Sequence, residues 1–215
     1  MRGKASLLVG TYTSGSSSEG IYRAEFDLAS GLLSGACPVI RQEEPSYLAL
    51  SGDGRWLYAV EEKVPAGRVF SYRKTAAGWE QTGCLPSGGS APCHLAIDEA
   101  RGILAVANYA DGVVSFYPLS ADGSLGQAPQ TIRLYGSGPD ANRQTRAHAH
   151  QCVVCESGIW ACDLGSDQVR AFVRREDGRY QEGEPLVRTL PGAGPRHFVT
   201  SPGGGMLYLL CELQS

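Results

Sequence analysis

Four segments of this chain repeat one plan, and a plan repeated at a near-constant interval restricts a fold more than any single motif does. Residues 45–54 run into 56–60, 92–98 into 103–107, 147–154 into 159–162, and 195–199 into 206–210. The units begin at 45, 92, 147 and 195, so the successive intervals are 47, 55 and 48 residues. Each reads as a short strand, a glycine-bearing tight turn (Gly52 and Gly54, Gly102, Gly158, Gly203 to Gly205) and a second, apolar strand. A third strand with alternating character follows at 68–72, 113–117 and 168–173, and a weaker fourth around 80–85 and 184–190. No stretch of ten or more residues holds a 3.6-residue period, so helix is predicted to be nearly absent.

Four short antiparallel strands recurring every 40–50 residues or so describe the blade of a β-propeller, because one such sheet cannot bury both of its faces until neighbours stack on it. A β-sandwich also has many short strands, but it does not require the same strand-turn-strand sentence four times. The opening segment fits the plan out of phase: 6–12 resembles a second strand, 20–26 a third and 33–40 a fourth, so the first blade lacks its inner strand. The predicted fold is all-β, a single partial propeller domain of four-stranded antiparallel blades. Its units are 6–44, 45–91, 92–146, 147–194 and a partial one at 195–215.

Strand direction predicts where chemistry collects. The inner strand and its neighbour are antiparallel, so the start of the first and the end of the second share one face of the disc. Inner strands line the central channel, and residues at those two places in every blade converge on one funnel. All four histidines, His94, His148, His150 and His197, are read at the first place. The second carries Glu61 and Glu62, Asn108 and Tyr109, Asp163, and Glu212, while Arg196 adjoins His197 and Arg143 and Arg146 precede His148. A pocket of imidazole, guanidinium and carboxylate groups is implied. The bland alternative is that a histidine opening an inner strand only hydrogen-bonds a neighbouring blade.

The segments Val9-Gly-Thr-Tyr-Thr13, Leu57-Tyr-Ala-Val-Glu-Glu62, Val106-Ala-Asn-Tyr109, Arg143-Gln144 with His148-Ala-His150, Asp163-Leu-Gly165, Gly194-Pro-Arg-His197 and Leu207-Tyr to Glu212-Leu213 resemble the seven-bladed lactonase family. That family includes bacterial 6-phosphogluconolactonases of propeller type and fungal carboxy-muconate lactonising enzymes. The resemblance implies seven blades, of which these 215 residues supply four to five. The expectation is therefore a truncated ring with open edges prone to self-association. Three departures from the family pattern stand out: Ala147 where a proline precedes the His-Ala-His, Glu61 in place of asparagine, and Cys211 in place of the asparagine before the glutamate.

The resemblance implies a lactone hydrolase that opens a phosphorylated sugar lactone to the aldonate. His148 would be general base or acid, Arg196 would hold anionic oxygens or the oxyanion, and Glu212 would orient or deprotonate the water or fix the imidazole tautomer. His150, His197, Arg143, His94 and Glu62 rank as substrate-binding residues. The alternatives are a lactonising isomerase acting on a carboxylated muconate and a non-catalytic propeller that presents its face to a protein partner.

Composition narrows the partners. A net charge of −3 gives no electrostatic attraction for phosphate backbones, so nucleic acid is not expected. Sixteen of the 19 basic residues are arginines, which suits recognition of small anions by the guanidinium fork or reflects base composition of the gene. No run approaches the ~18–20 apolar residues of a membrane helix, and residues 1–10 are too weakly apolar for a signal peptide. A cytoplasmic chain with reduced thiols is expected, since seven cysteines cannot all pair within one molecule. His148, His150, Cys152 and Cys155 lie close in sequence, yet residues three apart on a strand point to opposite sides, so no metal is expected. No cofactor is expected. The glycine-rich segments 136–139 and 192–195 do not open helices and read as loops. Trp56, Trp79 and Trp160 read as packing between blades, and the insertion 121–146 is expected to overhang the funnel.

Overall fold

Eighteen strands and one 3₁₀ turn account for the regular structure of residues 3–214, which the computed structural model describes. Met1, Arg2 and Ser215 lie outside the described residues, and with them the start of the opening decapeptide and the last residue of the 195–215 unit. The first sheet holds β1 (Lys4–Val9), β2 (Gly20–Asp27) and β3 (Leu33–Arg41) in that order. The second is β4 (Leu48–Leu50), β5 (Trp56–Glu61), β6 (Arg68–Thr75) and β7 (Gly78–Pro86). The third runs β8 (Pro92–Asp98), β9 (Ile103–Asn108), β10 (Val113–Pro118) and β11 (Gln130–Arg133). The fourth is β12 (Ala149–Cys155), β13 (Gly158–Asp163), β14 (Gln168–Arg174), β15 (Tyr180–Glu182) and β16 (Val187–Arg188); the fifth pairs β17 (Pro195–Thr200) with β18 (Leu207–Cys211). All pairings are antiparallel meanders, and these are propeller blades.

The strand pattern explains the stacking. In β5 and β9 nearly every residue is buried, which a sheet with one wet face forbids. Alternation divides each strand between two interfaces. Trp56, Tyr58 and Val60 pack with Leu95, Leu104 and Val106 on one side, while Leu57 and Ala59 join Ile21, Ile40 and Tyr72 on the other. The opposite face of β9 gives Ala105 and Ala107 to a core with Phe116, Ala149, Cys152, Ile159 and Phe172. Cys162, Val169 and Phe198 fill the space between the fourth and fifth sheets. Trp56 and Trp160 both lie in these inter-blade layers and Trp79 packs against one.

Two details differ from the sequence reading. The second sheet's outer strand begins at Gly78 rather than 80, and the fourth sheet's outer strand is split into β15 and β16, both paired to β14. Pro185 explains the split, since it has no N–H to donate to a ladder; Gly183 and Leu186 on either side still donate to Ala171 and Val169 of β14 (2.9 Å each). The insertion 121–146 contributes β11 and then the irregular segment that carries Arg143.

One hydrogen bond recurs from blade to blade and sets the repeat in register. The N–H of Glu62 donates to Glu44 O (3.0 Å), Tyr109 to Ala91 O (2.9 Å), Leu164 to His148 O (3.0 Å) and Glu212 to Gly194 O (2.8 Å). Glu62, Tyr109, Leu164 and Glu212 are therefore equivalent. So are Glu44, Ala91, His148 and Gly194, which lead into the inner strands: the last three stand immediately before β8, β12 and β17, and Glu44 four residues before β4 begins. The three besides His148 adopt positive φ and each precedes a proline, at 47°, 53° and 64°.

A candidate active site at the mouth of the inner strands

The same register corrects the placement of the histidines. They occupy three positions of the repeat, not one. His148 precedes its inner strand; His150 is the extra residue where pairing shifts between Ala149 and Gln151; His94 and His197 follow the corresponding shifts after Pro92 and Pro195. Cys93, His150 and Arg196 are thus the bulged residues of three successive blades. A bulge inserts one unpaired residue and re-aims its neighbours, a device common beside active sites. It lets Arg196 and His197, adjacent in sequence, both reach the mouth.

The imidazoles and two tyrosines form one connected array. Tyr47 packs on His94 with ring centroids 4.0 Å apart, His94 lies 6.0 Å from His197, and His197 lies 4.9 Å from His150. Tyr109 then meets His150 edge-on at 5.7 Å and stacks on His148 at 4.6 Å, with the planes only 21° apart. Beside them Arg143 donates from Nη2 to Tyr109 Oη (3.1 Å) and to Glu212 Oε1 (2.5 Å), while Arg196 binds the other oxygen, Oε2. His148, Arg196 and Glu212 therefore belong to one network, with Arg143, His150, His197 and His94 around it. Glu62 stands one blade further on, where the hydroxyls of Tyr12 and Ser46 both donate to its Oε2.

Each charged group has an environment that fixes its state. The His148 Nδ1 lies 2.8 Å from the main-chain oxygen of Tyr109. A carbonyl only accepts, so Nδ1 carries a proton, and the tautomer this contact selects has its lone pair on Nε2. Burial pushes His94 and His150 down to about 3, aided for His94 by His197 and His150 and for His150 by Arg196, so both are neutral at ordinary pH. Burial, then Arg196, also lowers His197. Burial alone would raise the Glu212 carboxyl, but hydrogen bonds from Arg143 and Arg196 outweigh it and hold the group below the usual range, as a carboxylate. Two guanidinium groups against the Glu212 carboxylate leave that cluster one positive charge in surplus, with the Glu62 carboxylate one blade away.

Several residues that the sequence suggested for the funnel are instead its supports. Asp163 is fully buried; its Oδ1 accepts the His148 N–H (2.8 Å), and its Oδ2 accepts from Arg170 (3.0 Å) and Ser166. Asn108, the equivalent residue one blade earlier, is buried and donates to Val113 O (3.1 Å) and Ser115 Oγ (3.2 Å). Gln144 is buried and donates to Leu164 O (2.9 Å) and Asp167 Oδ1 (2.7 Å), and Asp140 Oδ1 accepts the Arg143 N–H (3.0 Å). The Arg143 loop is pinned at both ends by these bonds. Gly165 lets the 3₁₀ turn Leu164–Ser166 pass against the chain before His148: a Cβ there would stand 1.8 Å from Arg146 O. The tautomer role expected of Glu212 belongs to the Tyr109 carbonyl, because both Glu212 oxygens are held by arginines. Tyr109, which the sequence reading left among the residues ending second strands, is the residue it undervalued. Its equivalence to Glu62 and Glu212 was the available signal.

Comparison with known proteins bears on the fold and the family. A family model described as Lactonase, 7-bladed beta-propeller, matches residues 6–215. A 6-phosphogluconolactonase of Bacillus subtilis (strain 168) is 31% identical over 211 residues, covering 96% of this chain and 59% of the relative. An uncharacterized Lactococcus lactis protein is 32% identical over 213 residues, covering 99% of this chain and 61% of its own length. Among solved structures, the Pseudomonas aeruginosa periplasmic gluconolactonase PpgL superposes with a TM-score of 0.89 at 34% identity, over 98% of this chain and 62% of that one. The chain spans about three fifths of the length of these relatives.

Proposed function

The chain belongs to the seven-bladed β-propeller lactonase family, and from that premise we propose that it hydrolyses a lactone bearing an anionic group, of the 6-phosphogluconolactone type. One observation carries the reading: a histidine with its Nδ1–H engaged and its Nε2 lone pair available shares a mouth with two arginines braced on one carboxylate. Ester hydrolysis calls for these parts, an acceptor for a water proton and a cation for the oxyanion. His148 Nε2 takes a proton as water oxygen bonds to the lactone carbonyl carbon, and the carbonyl electrons move onto oxygen beside Arg196. Collapse of the tetrahedral species breaks the ring C–O bond, and the imidazolium returns its proton to the leaving alkoxide. The product is an open-chain hydroxy acid. Glu212 holds the two guanidinium groups in place rather than acting on water. Arg143 keeps donors beyond those on Tyr109 and Glu212, suited to the substrate's phosphate. The neutral His94, His150 and His197 offer hydrogen bonds to sugar hydroxyls.

The names of the 6-phosphogluconolactonase relatives support this substrate class. We extend the reading to a cytoplasmic enzyme of the pentose phosphate pathway. Seven free cysteines suit a reducing compartment, whereas the Pseudomonas relative is named periplasmic. Among the described residues no helix is long and apolar enough to cross a membrane. The test is turnover of 6-phosphogluconolactone by the full-length protein and its His148→Ala variant. The variant is expected to lose on the order of 10²–10⁴ in kcat/KM; equal rates would overturn the assignment of the base.

A further inference from the structure

We infer that Tyr109 is a positioning residue that locks the proposed base and the anion clamp into one unit. The inference rests on the lactonase reading and adds to it a residue with three separate contacts. The Tyr109 main-chain oxygen accepts from His148 Nδ1 at 2.8 Å, which selects the tautomer. Its ring lies over the His148 imidazole at 4.6 Å and 21°, which holds the plane of the ring. Its hydroxyl accepts from Arg143 Nη2 at 3.1 Å, and that same nitrogen donates to Glu212 at 2.5 Å. No direct contact joins His148 to Glu212 among the described hydrogen bonds, so Tyr109 is the link between them.

The repeat explains how one residue reaches both. Tyr109 holds the position that Glu62 and Glu212 hold in their blades, fixed by the hydrogen bond of its N–H to Ala91 O. That position ends a second strand at the mouth, so its side chain is half-buried there rather than in an inter-blade core. In the next blade the equivalent is Leu164, which cannot brace a base. The stack therefore comes from the preceding blade, and an aromatic side chain with a polar tip meets both needs: a flat face for imidazole and an acceptor for guanidinium.

The decisive experiment compares the full-length wild type with Tyr109→Phe, Tyr109→Leu and Tyr109→Ala, reading kcat and KM for 6-phosphogluconolactone and the imidazole ¹⁵N spectrum of His148 without substrate. Phenylalanine keeps the stack, so kcat is expected within about threefold of wild type and the Nδ1–H spectrum unchanged. KM is expected to rise roughly three- to tenfold as Arg143 loses one bond. Leucine and alanine both remove the stack, the former without leaving a void. Both should lower kcat by about 100-fold, a general base's lower range; the main-chain oxygen remains, but an unstacked imidazole is free to turn away from it, so the spectrum should become a mixture of tautomers. Equal loss of kcat in Phe and Leu variants, or a wild-type spectrum in the Leu and Ala variants, would overturn the inference. If the wild type fails to open the lactone, the functional reading fails instead. The nitrogen spectra then decide the positioning by themselves.

Discussion

Acidification from pH 7 to pH 5 should destabilise this protein through two histidines. His94 and His150 are only 6% and 8% exposed, and burial holds both down to about 3. Their Nδ1 atoms are buried without a hydrogen-bond partner, so a proton arriving there finds no acceptor. Charges nearby act in the same sense on balance: Arg196, His197 and Arg143 oppose a proton on His150 while Glu212 partly offsets them, and His197 and His150 oppose one on His94. In the unfolded chain each histidine titrates near 6.5. Below that value the unfolded state binds protons that the native state refuses, so stability falls as pH falls. With a native value of about 3, linkage gives about 2 kcal/mol per histidine at pH 5 and about 4 kcal/mol for the pair. That is a large part of an ordinary net stability of roughly 5–15 kcal/mol. His197 acts in the same direction. Carboxylates held low in the native state, such as Glu212 and Glu44, lose their contribution only as pH drops through the unfolded carboxylate range near 4 and below. The window from 6.5 to 5 thus belongs to the imidazoles. Urea unfolding at half-unit intervals measures the slope. In His94→Phe, which preserves a ring against Tyr47, the loss between pH 7 and 5 should shrink by about 2 kcal/mol. A wild-type change under about 1 kcal/mol, or an unaltered slope in the variant, would refute the reasoning.

Two further substitutions probe the supports of the site. Gly165→Ala forces a methyl within 1.8 Å of Arg146 O, and urea unfolding should show a loss of about 3 kcal/mol with reduced turnover, since the strained segment leads into His148. Arg170→Met strands the fully buried Asp163 carboxylate and should cost roughly 3–5 kcal/mol, while the double variant Asp163→Asn with Arg170→Met should recover part of that loss by removing the stranded charge.

Much of the fold was legible because stacked sheets impose a strict local grammar. Runs such as Trp56–Val60 and Ile103–Ala107 are apolar on both faces, as a sheet covered on two sides demands, and their recurrence at a near-constant interval pointed to stacked blades. The split at Pro185 was not: residues 184–190 read as one weak strand, and the interruption shows only in the pairing partners. The sequence also showed that histidine, arginine and glutamate cluster at the ends of strands one and two.

What each of those side chains does was decided by tertiary structure. A bulge shifts the two-residue alternation by one, so it cannot be seen in a pattern of residue types; three bulges place Cys93, His150 and Arg196 where simple alternation would not. Asp163 and Asn108 read as funnel residues by position, yet both turn inward because a buried partner or backbone group awaits them from another strand. Both oxygens of Glu212 meet arginines 69 and 16 residues away along the chain, a pairing that no local pattern announces. By itself the sequence determined the repeating blades and the mouth toward which their ends point, since period and strand polarity are local properties. The tautomer of His148, the neutrality of its companions and the coupling through Tyr109 depend on groups from different blades meeting within hydrogen-bond range, and only the packed structure decides that.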